Sequence, residues 1–135
     1  MTYRIVITGS RTWTDKGRLW DCLDDAVYQS GYELRDVILV HGACPRGADA
    51  MADEWAQEYA IKAEPHPADW REHGRRAGFL RNAHMVGLGA DLCLAFINPC
   101  TDRRCHQPGT HGTHGATHCA NAAERAGIPT RKYTP

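Results

Sequence analysis

The residue types best suited to holding a metal are concentrated in one stretch of this sequence. Residues 100–119 carry three of the six cysteines (Cys100, Cys105, Cys119) and four of the eight histidines (His106, His111, His114, His118). Zinc takes four thiolate or imidazole ligands in a closed structural site, and pairs close in sequence are the usual supply. Cys100-x4-Cys105 and His111-x2-His114 form two such pairs across a Pro-Gly turn. The expected ligands of a structural Zn²⁺ are therefore Cys100, Cys105, His111 and His114, with His118 or Cys119 as alternates. Bound metal would order a segment too polar to pack by itself. A catalytic zinc and a flexible His-rich loop are the competing readings. Cys22, Cys44 and Cys93 read as ordinary small residues.

A second chemistry, the holding of an anion, is carried by three turns. Gly9-Ser10-Arg11-Thr12 follows the apolar run Ile5-Val6-Ile7. Glycine lets the backbone approach an anion, Ser10 and Thr12 add hydroxyl donors, and Arg11 offers a bidentate fork for phosphate. His41-Gly42-Ala43-Cys44-Pro45-Arg46-Gly47-Ala48-Asp49 leads into a helix, whose N-terminal N–H groups and dipole favour negative charge. His114-Gly115-Ala116-Thr117 does the same. Any one of these is an ordinary turn, and Asp49 also fits a simple helix cap. Together they point to a ligand site. Neither G-x-G-x-x-G nor G-x-x-x-x-G-K-[ST] occurs, so a dinucleotide dehydrogenase and a P-loop NTPase are unsupported. Trp13 and Trp70 follow polar turns and are candidates to stack on a base, besides the core role usual for tryptophan. Residues 71–76 (Arg-Glu-His-Gly-Arg-Arg) read either as a solvated helix start or as a phosphate clamp beside Arg81.

The elements that must position these groups alternate. Short apolar runs predict strands at Arg4–Thr8, Val37–Val40 and Leu92–Ile97, with weaker strands at Ile61–His66 and Thr130–Tyr133. Helical spacing of apolar residues predicts helices over Lys16–Gln29, Ala48–Tyr59, Arg75–Gly87 and His118–Ala126. Ala68–Gly74 reads as irregular, and residues 98–117 as a zinc-binding insert without apolar periodicity. Strands alternating with helices imply right-handed crossovers and a parallel sheet covered on both faces. The expectation is one α/β domain over residues 1–135, a Rossmann-like three-layer sandwich with about five mostly parallel strands. Ligands of such sheets sit outside the carboxyl ends of the strands, where all three turns fall.

Bulk composition narrows the partners. The 135 residues, 42% of them apolar, suffice for a core, and 16 basic residues balance 16 acidic ones. That balance argues against an extended nucleic-acid track, which shows as a basic excess. No apolar run reaches the ~18 residues of a membrane span, and the strand pattern begins at Tyr3, leaving no signal peptide. A cytoplasmic chain is expected, its cysteines kept as thiols or metal ligands.

Four motifs in order resemble the YspA-related branch of the SLOG superfamily, which groups DprA/Smf-like proteins with the LOG phosphoribohydrolases. They are Ile7–Trp13 (Ile-Thr-Gly-Ser-Arg-Thr-Trp), His41–Asp49, Ala77–Met85 (Ala-Gly-x-x-Arg-Asn-x-x-Met) and Ala90-Asp91, closing with Ala126-Gly127-Ile128-Pro129. The resemblance implies a Rossmann-like fold and a pocket for a nucleotide or nucleotide-derived molecule. By position, that pocket would draw on Gly9, Ser10, Arg11, His41, Gly42, Gly47, Asp49, Arg81 and Asn82. Thr12, Ala48, Gly115 and Thr117 join them from the turn chemistry. The resemblance also implies homo-oligomers, since related domains often dimerise. LOG enzymes cleave the bond between base and ribose phosphate with a glutamate in a glycine-rich loop, whereas Pro108–Cys119 here contains no acid. Such a hydrolase needs a carboxylate, so binding or sensing of the ligand is the leading expectation. A phosphoribohydrolase-like hydrolase, with Asp49 or Asp91 substituting, is the alternative, and a DprA-like DNA-binding module the third.

Overall fold

The computed structural model describes residues 1–135. Three short runs rich in aliphatic residues become β1 (Tyr3–Gly9), β2 (Val37–His41) and β4 (Leu92–Phe96), and two more polar ones become β3 (Lys62–Pro65) and β5 (Thr130–Tyr133). All neighbours pair in parallel, in the order β3-β2-β1-β4-β5. The chain builds outward from β1 to β3, then returns to the other side of β1 for β4 and β5. Right-handed crossovers in opposite directions put helices on opposite faces. Helices α1 (Lys16–Ser30) and α2 (Ala48–Glu58) cover one face; α4 (Ala77–Gly87) and α5 (His114–Arg125) cover the other.

Each central strand therefore feeds two cores. On β1, Ile5 and Ile7 pack with Leu19, Leu23 and Trp55, while Val6 packs with Met85, Cys119 and Ala123. Full burial on both faces explains why β1, β2 and β4 read as continuous apolar runs. The edge strands β3 and β5 are half-covered, which is why their signal was weaker. Ala48, Ala52 and Ala56 are fully buried, so α2 is alanine-rich where it must lie close to the sheet.

The boundaries differ from expectation in three places, each with a local cause. Residues 68–74 are not wholly irregular: Asp69 accepts a hydrogen bond from the Glu72 N–H at 3.0 Å and starts the single-turn helix α3 (Trp70–His73). Gly74, at φ 56°, then delays α4 to Ala77 by way of a 3-10 turn. Helix α5 begins at His114 rather than His118, which ends the insert at Thr113. Ala116 and Ala120 bury against Ala95 and Ile97 and carry the helix one turn further back. Trp13 is a core residue and no base-stacking platform. It is 3% exposed, packs edge-on against Phe96 at 5.3 Å, and donates its indole N–H to the Asp15 carbonyl.

A bidentate ion pair crosses β2 to join β1 to the edge. Arg4 reaches both oxygens of Glu64, at 3.2 and 2.7 Å, and His66 Nε2 lies 2.9 Å from the same carboxylate. Arg4 first and His66 second hold the Glu64 carboxyl down at about 2. An unfolded glutamate protonates near pH 4.3, so this stabilisation is complete above that value and lost as pH falls toward 2. Water still reaches Glu64, which limits the effect to about 1 kcal/mol. Glu64→Gln should lower the urea-unfolding free energy by that amount at pH 7. The gap between variant and parent should close progressively below about pH 4.

Candidate functional site

Because β1 and β4 start crossovers in opposite directions, their carboxyl ends diverge and leave a crevice. A cavity of about 660 Å³ occupies it. Its floor exists because two loops touch backbone to backbone. Gly47 has φ 75°, and a Cβ there would collide with the Ser10 carbonyl and the Arg11 Cα. At Gly9 a Cβ would meet Ala48 Cβ and the Phe96 carbonyl. Gly47 and Gly9 are thus required by close packing of the β1–α1 and β2–α2 turns. Gly47 and Ala48 stay beneath the cavity, while Gly9 lines it.

Ser10 fastens the far side. Its Oγ accepts the Asn98 N–H at 2.9 Å and lies 2.5 Å from Thr113 Oγ1, so this one hydroxyl ties both ends of the insert to β1. Thr12 Oγ1 accepts from the Asn98 amide at 2.9 Å. Arg11 is left exposed at the mouth, with its guanidinium 5.8 Å from the exposed Trp70 ring. Phe79 and Arg75 extend the same rim.

The groups on the β2 side are largely committed to each other. The Ala43 N–H donates to His41 Nδ1 at 3.0 Å, which leaves His41 Nε2 as the donor to Asp53, 2.9 Å away. His41 is buried and does not line the cavity. Asp49, 7% exposed, does. Its carboxylate accepts the Cys44 N–H at 3.2 Å. Burial pushes its carboxyl up, opposed by that N–H and by neighbouring His41 and Arg81. Arg81 donates to the carbonyls of Gly42 and His66 and, through Nε, to Asn82 Oδ1. Asn82, 3% exposed, passes its amide to the Gly115 carbonyl at 3.1 Å. Arg81 and Asn82 both line the cavity and lock α4 to the loops around it.

Of the positions expected at the ligand, Gly9, Ser10, Arg11, Thr12, Gly42, Asp49, Arg81, Asn82 and Gly115 line the cavity. His41, Gly47, Ala48 and Thr117 lie behind it. Phe79, Thr113 and Asp102 also line it and were not singled out from the sequence. The Phe79 signal was its place on the apolar side of α4, where 45% exposure now marks it as unpacked.

At the outer end of the cavity the insert gathers a donor set able to hold a metal ion. Sγ of Cys100 and Cys105 and Nε2 of His111 and His114 all lie within 4.8 Å of one another. Two links bring the pairs together: the Pro99–Gly112 bridge and a 2.7 Å hydrogen bond from the Cys100 N–H to the His111 carbonyl. His111 Nδ1 sits 3.1 Å from the Gly109 carbonyl, which leaves Nε2 with its lone pair facing the cluster. The alternates point elsewhere. Cys119 is fully buried against the sheet, and His118 lies tilted at 30° against one side of Phe79 with ring centroids 4.4 Å apart.

Fold and site together define a Rossmann-like α/β domain with a crevice at the point where strand order reverses and a metal-donor cluster at its edge. The chain belongs to the YspA, cpYpsA-related SLOG family, whose model matches residues 3–73, from β1 through α3. It is 42% identical over 131 residues to Gene 61 protein of Mycobacterium phage D29, across 93% of this chain and 92% of that one. No solved structure matches it significantly. Family membership makes this a nucleotide-related domain in general terms. Asn82 and the metal-donor cluster lie beyond the residues matched by the family model.

The loop contact at Gly47 is testable. Gly47→Ala combines a left-handed φ with a backbone collision, and should cost about 3 kcal/mol in chemical denaturation. Gly31→Ala shares a φ of 75° but meets no atom within 4 Å. It should cost only about 1 kcal/mol.

Proposed function

We propose that the domain binds a mononucleotide or a related phosphate-bearing nucleoside in this cavity, and that Cys100, Cys105, His111 and His114 hold a structural zinc. The observation that carries the first part is a cavity of about 660 Å³ that joins an aromatic rim to an uncapped helix end. That volume lies in the usual range for small-molecule sites. Helix α2 begins with its own carboxylate, Asp49, already beside the loop amides, so its N-terminus is a poor place for a second anion. Helix α5 has no side-chain cap, and its first-turn residues Gly115 and Ala116 border the cavity. Phosphate is therefore assigned to the space between α5 and Arg11, where free N–H groups, the helix dipole and a guanidinium converge. The base falls toward Trp70 and Phe79.

The donor spacing supports zinc. Bonds of about 2.3 Å to sulfur and 2.0–2.1 Å to nitrogen in a tetrahedron separate ligand atoms by roughly 3.3–3.8 Å. Four of the six donor pairs lie 3.3–3.7 Å apart, and the other two, both to Cys100, stay within 4.8 Å. Four protein ligands fill the coordination shell, which makes the metal a staple rather than a catalyst.

A second reading, hydrolysis of the N-glycosidic bond, rests on two carboxylates at the cavity, Asp49 and Asp102. Desolvation raises Asp49 in the direction a general acid requires, but its hydrogen bond to Cys44 engages it in the loop. Binding without turnover is the preferred reading.

Calorimetric titration with AMP should show one site per chain, and both Arg11→Ala and Trp70→Ala should weaken it about tenfold. Absence of heat with AMP, GMP, CMP and UMP alike would count against the nucleotide reading. During prolonged incubation AMP should stay intact by chromatography; release of adenine, abolished by Asp49→Asn, would establish the hydrolytic reading instead. Elemental analysis of tag-free protein purified without chelator should return one zinc per chain, and well under one for Cys105→Ser.

A further inference from the structure

The metal cluster and the cavity share a wall. Cys100 and His114 belong to the donor set and also line the cavity, while Cys105 and His111 belong to the donor set alone. His114 is the first residue of α5, so the ligand that closes the cluster also begins the helix whose first turn, Gly115 and Ala116, borders the cavity. Thr101 and Asp102, between the two cysteines, complete that side.

Little else holds this wall in place. No residue from Asn98 to Gly115 is buried, so the segment contributes nothing to either core. Its tethers to the body of the domain stand at its ends: Asn98 and Thr113 on Ser10, Asn98 on Thr12, and Gly115 on Asn82. Between them the backbone hydrogen bonds are local, Cys100 to His111 and Cys105 to Asp102. A polar loop of this length whose close apolar contact is Gly112 on Ile97, near its end, does not recover its ordering entropy from packing. Metal binding supplies what packing does not.

We infer that the metal centre is the switch that assembles the nucleotide cavity. Occupied, it fixes residues 100–114, seats His114 and presents the first-turn N–H groups of α5 to the phosphate. Emptied, it releases Thr101 and Asp102 from the wall and frays α5 toward Ala116, where burial in the core resumes. Ligand and metal then bind with positive coupling, and by linkage each must strengthen the other by the same factor. This inference rests on the zinc and nucleotide assignments above, yet the ordering it requires is measurable without any nucleotide.

The test uses the full chain, zinc-loaded and zinc-stripped, with His111→Ala as a variant that removes a metal ligand without altering a cavity-lining residue. Hydrogen exchange of peptides spanning residues 99–117 should be at least tenfold slower with zinc, while peptides from β1, β4 and α2 stay unchanged. AMP should bind at least tenfold more weakly to the stripped chain and to His111→Ala, and AMP should tighten zinc binding by a matching factor. Circular dichroism and thermal unfolding of the stripped form establish that the domain remains folded. Equal exchange with and without zinc, or equal AMP affinity in loaded and stripped forms, overturns the inference. If AMP binds neither form, the nucleotide assignment fails and the exchange data alone decide whether the metal builds the wall.

Discussion

The close approach of α2 to the end of β1 is the constraint on which the site depends. Gly47 meets the backbone of Ser10 and Arg11 directly, and Gly9 lies against the Ala48 methyl and Phe96. That contact fixes where the β1–α1 turn can run. With the turn held low, Ser10 faces the insert and Arg11 is projected over the crevice. A larger residue at either glycine would lift the turn and move every group attached to it. The glycines of this motif therefore shape the crevice by setting the height of its floor.

The same economy appears around the crevice. Ser10, Asp49, Arg81 and Asn82 are of types that bind ligands, yet each already spends its strongest donors or acceptors on protein partners. Such groups make the rim rigid, and a rigid rim costs less entropy when a ligand arrives. Free capacity is concentrated in Arg11, Trp70, Arg75 and the first-turn amides of α5. This division of labour gives the polar constellation a meaning that residue type alone does not. The buried members shape the crevice, and the exposed members are the ones left free to meet a ligand.

Much of this was legible in the sequence, and the reasons are physical. Strands β1, β2 and β4 announce themselves because burial on both faces demands unbroken aliphatic runs. The pairing of Cys100 and Cys105 with His111 and His114 is legible because a tetrahedral site built on one loop needs short spacers. What escaped is long-range or disguised. The links from Ser10 to Asn98, Arg81 to Gly42 and Asn82 to Gly115 join residues far apart in the chain, and nothing local encodes them. The first turn of α5, His114-Gly115-Ala116-Thr117, hides as loop because only small Ala116 reaches the core from it. Trp13 looked available for stacking because it follows a polar turn, but the chain folds back there and drives the ring against Phe96.

The insert and the rest of the frame are held by different means. Helix α5 must begin somewhere after β4, and in this chain its first residue is one of four metal donors. The family-matched part, β1 through α3, supplies one side of the crevice from residues that the two cores hold in place. The opposite side comes partly from α4, through Arg81, Asn82 and Met85, and partly from the insert, which no core holds. On the proposal above, a site with one wall anchored by packing and the other by four ligand atoms has two separate stabilities. The anchored wall persists for as long as the domain is folded, whereas the proposed metal would govern the other. Thr113 is the residue where the two meet, standing just before His114 at the start of α5 with its hydroxyl on Ser10 rather than on the helix. On the proposal above, loss of a bound metal disturbs the crevice from α5 inward, and the β1 floor is the last part to feel it.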